Sequence, residues 1–191
     1  GYLADGSLAS ISDGSRTWQY SNGLRHVIYP DGSTWSMSVS GAFSKDPYAF
    51  KFYDCSHAPS PLITGQATIT IDLPSGARGV FAFSPNRRGM SYVPSQCHLG
   101  APGQGIVKVI DDIALTAKTI TGPGLTAASW TYAPGPANDS FSVDCASGCV
   151  DTRTTQITKP DGSYVRSTFS NRRGATEGGL LASNVYAASG E

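Results

Sequence analysis

Lys159-Pro160-Asp161-Gly162-Ser163-Tyr164-Val165-Arg166-Ser167-Thr168-Phe169-Ser170-Asn171-Arg172-Arg173-Gly174 reads as a turn, a strand and a second corner. Pro-Asp-Gly-Ser has the residue types of a tight turn: proline pre-sets φ, aspartate bonds nearby amides and glycine accepts positive φ. Tyr164 to Phe169 is a run of β-formers. Asn171-Arg172-Arg173-Gly174 is polar and closes on glycine, which predicts another turn. The unit recurs. Pro74-Ser75-Gly76-Ala77 leads through Val80-Phe81-Ala82-Phe83 to Asn86-Arg87-Arg88-Gly89, and Pro30-Asp31-Gly32-Ser33 starts a partial copy running into Trp35, Met37 and Val39. Repeated turn–strand units are the mark of an array built by stacking.

Outward from this unit the same pattern continues. Residues 1–40 carry Asp-Gly-Ser at Asp5, Asp13 and Asp31, and Asn22-Gly23 adds another hairpin signal. Trp18 and Tyr20, Val27 and Tyr29, and Trp35, Met37 and Val39 alternate by two, placing each set on one face of a strand. Tyr48, Phe50 and Phe52 predict a further strand, and Asp54 to Pro61 a loop. Ala67, Ile69, Ile71 and Leu73 alternate with Thr68, Thr70 and Asp72, and 78–84 follow as the hairpin partner. Residues 84–105 read as loop. Across 106–121 valine and isoleucine dominate without a good N-cap, which favours strands over a helix. Gly122-Pro123-Gly124 turns the chain, and strands are expected at 128–132, 141–145, 152–158 and around Asn184-Val185-Tyr186.

Composition agrees with short strands and frequent turns. The 191 residues include 22 Gly and 12 Pro, and charged residues make up 15%, below the usual quarter. Formal net charge is zero, so neither a phosphate-binding surface nor a polybasic membrane face is indicated. No apolar run reaches membrane-spanning length, and the first residues have no basic region or hydrophobic signal core. The chain starts and stops in mid-pattern, the expectation being a fragment of a longer protein.

Four cysteines, Cys55, Cys97, Cys145 and Cys149, in a low-charge, turn-rich chain suit an exported protein with two disulfides. Three pairings are possible; Cys55–Cys97 with Cys145–Cys149 is favoured, since the second pair lies across Ala146-Ser147-Gly148. In the chain-entropy model the longer loop would contribute roughly 4 kcal/mol and the shorter about 2. A zinc site from Cys55, His57, Cys97 and His98, with Cys145 and Cys149, has the right ligand types but not the usual paired spacing. No metal and no cofactor is expected.

Catalytic patterns are sparse. Asp111-Asp112 is the adjacent acidic pair, and on a strand the two side chains project oppositely. Other aspartates are mostly turn residues, and no Gly-x-Ser-x-Gly elbow occurs. Trp18, Trp35 and Trp130, with nine tyrosines, offer an alternative: a carbohydrate-binding platform. The competing reading is that each aromatic fills the core of its own repeat.

Trp18-Gln19-Tyr20-Ser21-Asn22-Gly23-Leu24-Arg25-His26-Val27-Ile28-Tyr29-Pro30-Asp31-Gly32-Ser33 resembles the unit of rearrangement-hotspot (RHS) or YD-repeat proteins. So does Thr158-Lys159-Pro160-Asp161-Gly162, followed by Phe169, Asn171-Arg172, Gly174, Glu177-Gly178 and Leu180-Leu181. The likeness covers the first 40 residues and about 110 to 186, with a weaker match at 66–94. Ser21 follows Tyr20, so the name-giving Tyr-Asp is missing there. The resemblance implies long sheets wound into a shell of a bacterial surface or toxin protein, enclosing a toxic cargo, and it supplies no catalytic residue.

Together these readings predict an all-β chain of repeated antiparallel hairpins forming an extended curved sheet, with a β-sandwich as the alternative. One β-repeat region spans 1–191: a meander over 1–40, a hairpin with loops and an insert over 41–105, and hairpins ending in the second repeat over 106–191. The expected role is non-catalytic, in the shell or surface module of a secreted or cell-surface protein. Its expected partners are the remainder of its own polypeptide or another copy through sheet edges, with glycans in the alternative reading. Nucleic acid and membrane insertion are not expected.

Overall fold

A computed structural model describes residues 1–45, 63–90, 108–135, 152–171, 176 and 178–188. These form one open antiparallel sheet of eleven strands: β1 (Ser10–Ser12), β2 (Thr17–Ser21), β3 (His26–Ile28), β4 (Thr34–Lys45), β5 (Ile63–Asp72), β6 (Arg78–Met90), β7 (Lys108–Gly122), β8 (Leu125–Ala133), β9 (Thr152–Thr158), β10 (Tyr164–Ser170) and β11 (Leu180–Tyr186). Spatial order equals chain order, so every strand pairs with its sequence neighbours. No helix occurs among the described residues. Among the described residues the architecture is the extended hairpin array and not a two-layer sandwich.

The turns explain the order. Tyr29 N donates to Ser33 O at 2.8 Å and Gly32 N to Tyr29 O at 2.9 Å. Lys159 N to Ser163 O (2.8 Å) and Gly162 N to Lys159 O (3.0 Å) repeat this, as do the corresponding bonds in 3–7 and 73–77. Each is a four-residue turn closed by a glycine at positive φ, the three-residue hairpin loop that keeps the strands' right-handed twist. Gly162, at φ 82, holds the position where any side chain would strain the backbone. Pro123-Gly124 joins β7 to β8, and Gly14-Ser15 joins β1 to β2 with Asp13 N donating to Arg16 O at 3.1 Å.

Because the strands run up and down in order, these connections segregate. The loops at 13–16, 29–33, 73–77, 123–124 and 159–163 share one rim of the sheet. The chain leaves β4, β6 and β8 at the opposite rim, where Lys45 pairs with Ile63 and Met90 with Lys108. Arg153 Nε donates to Pro134 O at 3.0 Å near that rim of β8 and β9.

Register divides the sheet into two unlike faces. On one, Val27, Trp35 and Met37 lead to Ile71, Gly79, Ile120 and Ala128; Val39, Ile69, Phe81, Lys118 and Trp130 form the next row. Tyr132, Ile157, Val165 and Val185 carry the apolar face to the last strand. The other face holds Ser36, Asp72, Arg78 and Thr121, then Ser38, Thr70, Val80, Thr119 and Ser129. The alternation is therefore apolar against hydroxylated. No side chain among the described residues is fully buried, so the core is a half-buried surface and not an enclosed volume.

Two irregularities shape the wall. Between Ala82 and Phe83 the register skips Thr116, whose hydroxyl donates to Ala82 O at 3.2 Å. In β4 and β5, Gly41 (φ 76) and Gly65 (φ 97) face each other's neighbours: a Cβ on Gly41 would collide with Gln66 O, and one on Gly65 with Ala42 O. Glycine alone fits both the positive φ and the space at these two positions.

Several expectations are corrected. Asn86-Arg87-Arg88-Gly89 is not a corner but part of β6, with Asn86 opposite Asp112 and Arg88 opposite Ile110. Residues 84–90, read as loop, are therefore strand. The long β7 supplies partners along that whole length, and ladder hydrogen bonds outweigh local turn preference. Asn171 follows β10 directly, so the two Asn-Arg-Arg-Gly motifs begin in different surroundings. Ser10-Ile11-Ser12 forms a strand that alternation over so few residues did not mark. The strands expected around Tyr48–Phe52 and Phe141–Cys145 lie outside the described residues.

Candidate functional site

Carboxylates are the most frequent reactive groups in the turn motifs, at Asp5, Asp13, Asp31 and Asp161. In Asp31 one oxygen, Oδ1, accepts from Ser33 Oγ at 2.6 Å and Ser33 N at 2.9 Å. Asp161 does the same with Ser163 (2.7 and 2.9 Å), and Asp5 with Ser7 (2.6 and 2.9 Å). The serine hydroxyl, then the serine amide, holds each of these carboxyls below the usual range. Asp13 is lowered first by the Arg16 amide and then by its guanidinium, which lies at 2.7 Å. All four are exposed, ionised turn supports. Asp111 and Asp112 are successive residues of β7, as read from the sequence, opposite Arg87 and Asn86.

The tryptophans share the apolar face but do not converge. Trp35 lies opposite Val27, whose other partner is Tyr20, and Trp18 is two residues along β2 from Tyr20, whereas Trp130 is four strands beyond Trp35, about 19 Å at ordinary strand spacing. All three are half-buried. Arg16 lies 5.7 Å from the Trp18 ring centre, and Lys118 Nζ lies 3.8 Å from that of Trp130. These cations cover part of each ring by cation–π attraction.

The other face carries an arrangement the sequence did not disclose. Tyr164 and Tyr186 are direct cross-strand partners with ring centres 4.6 Å apart and planes inclined by 14°. The Arg166 guanidinium lies 5.4 Å and 5.6 Å from the two rings, and its Nη2 donates to Gln156 Oε1 at 3.0 Å. Gln156 Nε2 in turn donates to Thr158 Oγ1 at 3.2 Å. Aromatic faces beside planar hydrogen-bonding groups suit a ligand with alternating C–H and O–H surfaces. Tyr164 follows a marked turn, but its pairing with Tyr186 depends on a register shift between Thr168 and Phe169. Alternation alone gives no sign of that shift.

On the same face Ser21 Oγ and His26 Nδ1 are 3.3 Å apart across a hairpin, both accessible to solvent. Among the described residues no group of three or more His, Cys, Asp or Glu is placed to hold a metal ion. Cys55, Cys97, Cys145, Cys149, His57 and His98 lie outside the described residues. What the described parts define is a class: an open, single-layer, antiparallel β-meander with one apolar and one hydroxylated face. The chain matches no protein-family model and no curated protein sequence.

Proposed function

We propose that this chain is a non-catalytic wall segment of a secreted or envelope-associated protein of RHS or YD-repeat type, helping to enclose or present a toxin or effector domain. One observation carries the reading. Eleven hairpin-linked strands make a broad surface whose apolar side is left half-exposed, as suits a sheet that faces further protein. The repeated turns at 3–7, 29–33, 73–77 and 159–163 support assembly by repetition, and the turn carboxylates have a structural task already. An antibody against residues 1–45 tests it. Immunoblots of the producing cells should find the epitope in the envelope or medium, within a polypeptide much larger than 19.9 kDa. A free cytosolic species of 19.9 kDa would overturn the reading.

A second reading, carbohydrate binding, is favoured by the Tyr164–Tyr186 stack with Arg166 and Gln156. On a glycan array, binding that disappears in Tyr186→Ala and persists in Trp18→Ala would establish it. An array without signal would remove it.

A further inference from the structure

Arg166 stands on the hydroxylated face of β10 and meets no carboxylate among the described residues. The ion pairs there join Arg16 to Asp13 and Arg78 to Asp72. Arg166 instead bonds a neutral amide, donating to Gln156 Oε1 at 3.0 Å. A guanidinium stays protonated, and an amide oxygen does not cancel its charge. Its neighbours on that face are uncharged too: Gln156 and Asn184 flank it across the ladder, and Thr154, Thr168 and Ala182 make the next row. In the adjoining turn Lys159 and Asp161 offset each other. The side chain is also held in place. Its distances of 5.4 and 5.6 Å to the Tyr164 and Tyr186 rings are nearly equal, which sets it beside their stack and not above one ring. The stack and Gln156 together fix a guanidinium that stays exposed. A planar fork held this way loses little rotamer freedom on meeting a ligand.

We infer that this site binds acidic sugars, the Arg166 fork taking the carboxylate of a uronic acid residue. The inference rests on the carbohydrate reading of the same site and narrows its ligand class. Guanidinium and carboxylate match as two parallel N–H···O bonds, and a neutral sugar would leave the charge of Arg166 unmatched. Thr158, Tyr164 and Tyr186 form the row beside that of Gln156, Arg166 and Asn184. Rows two residues apart along a strand are separated by about 7 Å, the scale of one pyranose ring with its substituents. A uronate held by Arg166 therefore brings its ring against the tyrosine row, with hydroxyls within reach of the amides of Gln156 and Asn184. An acidic peptide also supplies a carboxylate, but on a flexible stem that leaves the tyrosine row unused. A uronate carries it on a rigid ring that spans both rows.

An array of oligomers of galacturonate, glucuronate, mannuronate and guluronate tests it on the whole chain, each beside its carboxyl-reduced, neutral counterpart of the same linkage. Binding to an acidic member is expected, weakened about fivefold or more in its reduced partner. A smaller difference, or binding to reduced forms alone, overturns the inference and leaves the carbohydrate reading standing. No binding to any member also overturns it, and the carbohydrate reading falls with it only if the neutral glycans of a wider array are silent too. Poly-glutamate bound as tightly as the uronates overturns the sugar assignment in favour of an acidic peptide. R166Q should weaken uronate binding about fivefold or more. K118Q, which removes the cation beside Trp130 on the opposite face, should leave it unchanged. Survival of the binding in R166Q, or its loss in K118Q, overturns the inference. The comparison of acidic with reduced sugars uses the parent chain, so it decides the matter even where R166Q fails to fold.

Discussion

At the scale of single residues, the turns are where sequence acts most directly. Asp5, Asp13, Asp31 and Asp161 each have a carboxyl lowered by bonds made only in the folded chain. A group with a depressed folded pKa stabilises the fold above its unfolded pKa, near 4, and that contribution is lost as pH falls through the folded value. The urea midpoint should therefore fall on acidification below about pH 4. A chain with Asp31→Ala and Asp161→Ala should start from a lower midpoint at neutral pH and lose less of it in acid. Glycine acts in the opposite sense, by what it lacks. Gly41→Ala would drive a methyl group into Gln66 O while also holding alanine at φ 76. A loss of about 1–3 kcal/mol is expected from denaturant unfolding, with the backbone forced to shift.

At the scale of elements, β6 and β7 show how a pattern can be legible yet misphased. Ile113 and Leu115 occupy odd positions of β7, whereas Lys118 and Ile120, on the same face, occupy even ones. Thr116 is the extra residue that reconciles them, since a one-residue slip exchanges the faces of a strand. Deleting Thr116 should therefore leave a regular ladder with every apolar group on its own face, and thermal circular dichroism should still show a cooperative transition. Deleting Thr119 removes a residue on the near side of the bulge and turns Ile113 and Leu115 toward the hydroxylated face; that chain should lose cooperativity. The exposed Asp72–Arg78 pair at 2.6 Å is a minor feature by comparison, because such surface pairs contribute little.

The same logic explains what could be read beforehand. Hairpins at 29–33, 73–77 and 159–163 were legible because each turn is fixed by its own few residues. The length of β6 was not, because Arg87 to Met90 become strand only through the partner that β7 offers. Trp18, Trp35 and Trp130 were placed on strands as expected, but a platform needs neighbouring strands, and their separation follows from strand order. Tyr164 and Tyr186 meet across a shifted register, which no count from the nearest turn supplies.

At the scale of the whole molecule, the cysteine pairing expected from the sequence, Cys55–Cys97 with Cys145–Cys149, is open to a direct chemical test. Peptide mapping of unreduced protein should recover Cys55 joined to Cys97, with Cys145 and Cys149 within a single peptide. Four titratable thiols in the native chain, or bound zinc, would refute that pairing.

The segregation of connections has a consequence for how such a protein can change over generations. Along one border each reversal is locked by a proline, a glycine or a hydrogen-bonded aspartate, and has almost no freedom to lengthen. Along the opposite border three consecutive hairpins already accept long additions without altering the order of the strands between them. Novelty can therefore accumulate on one side of the fabric while its weave stays fixed, and grafted epitopes or whole domains should be tolerated there first.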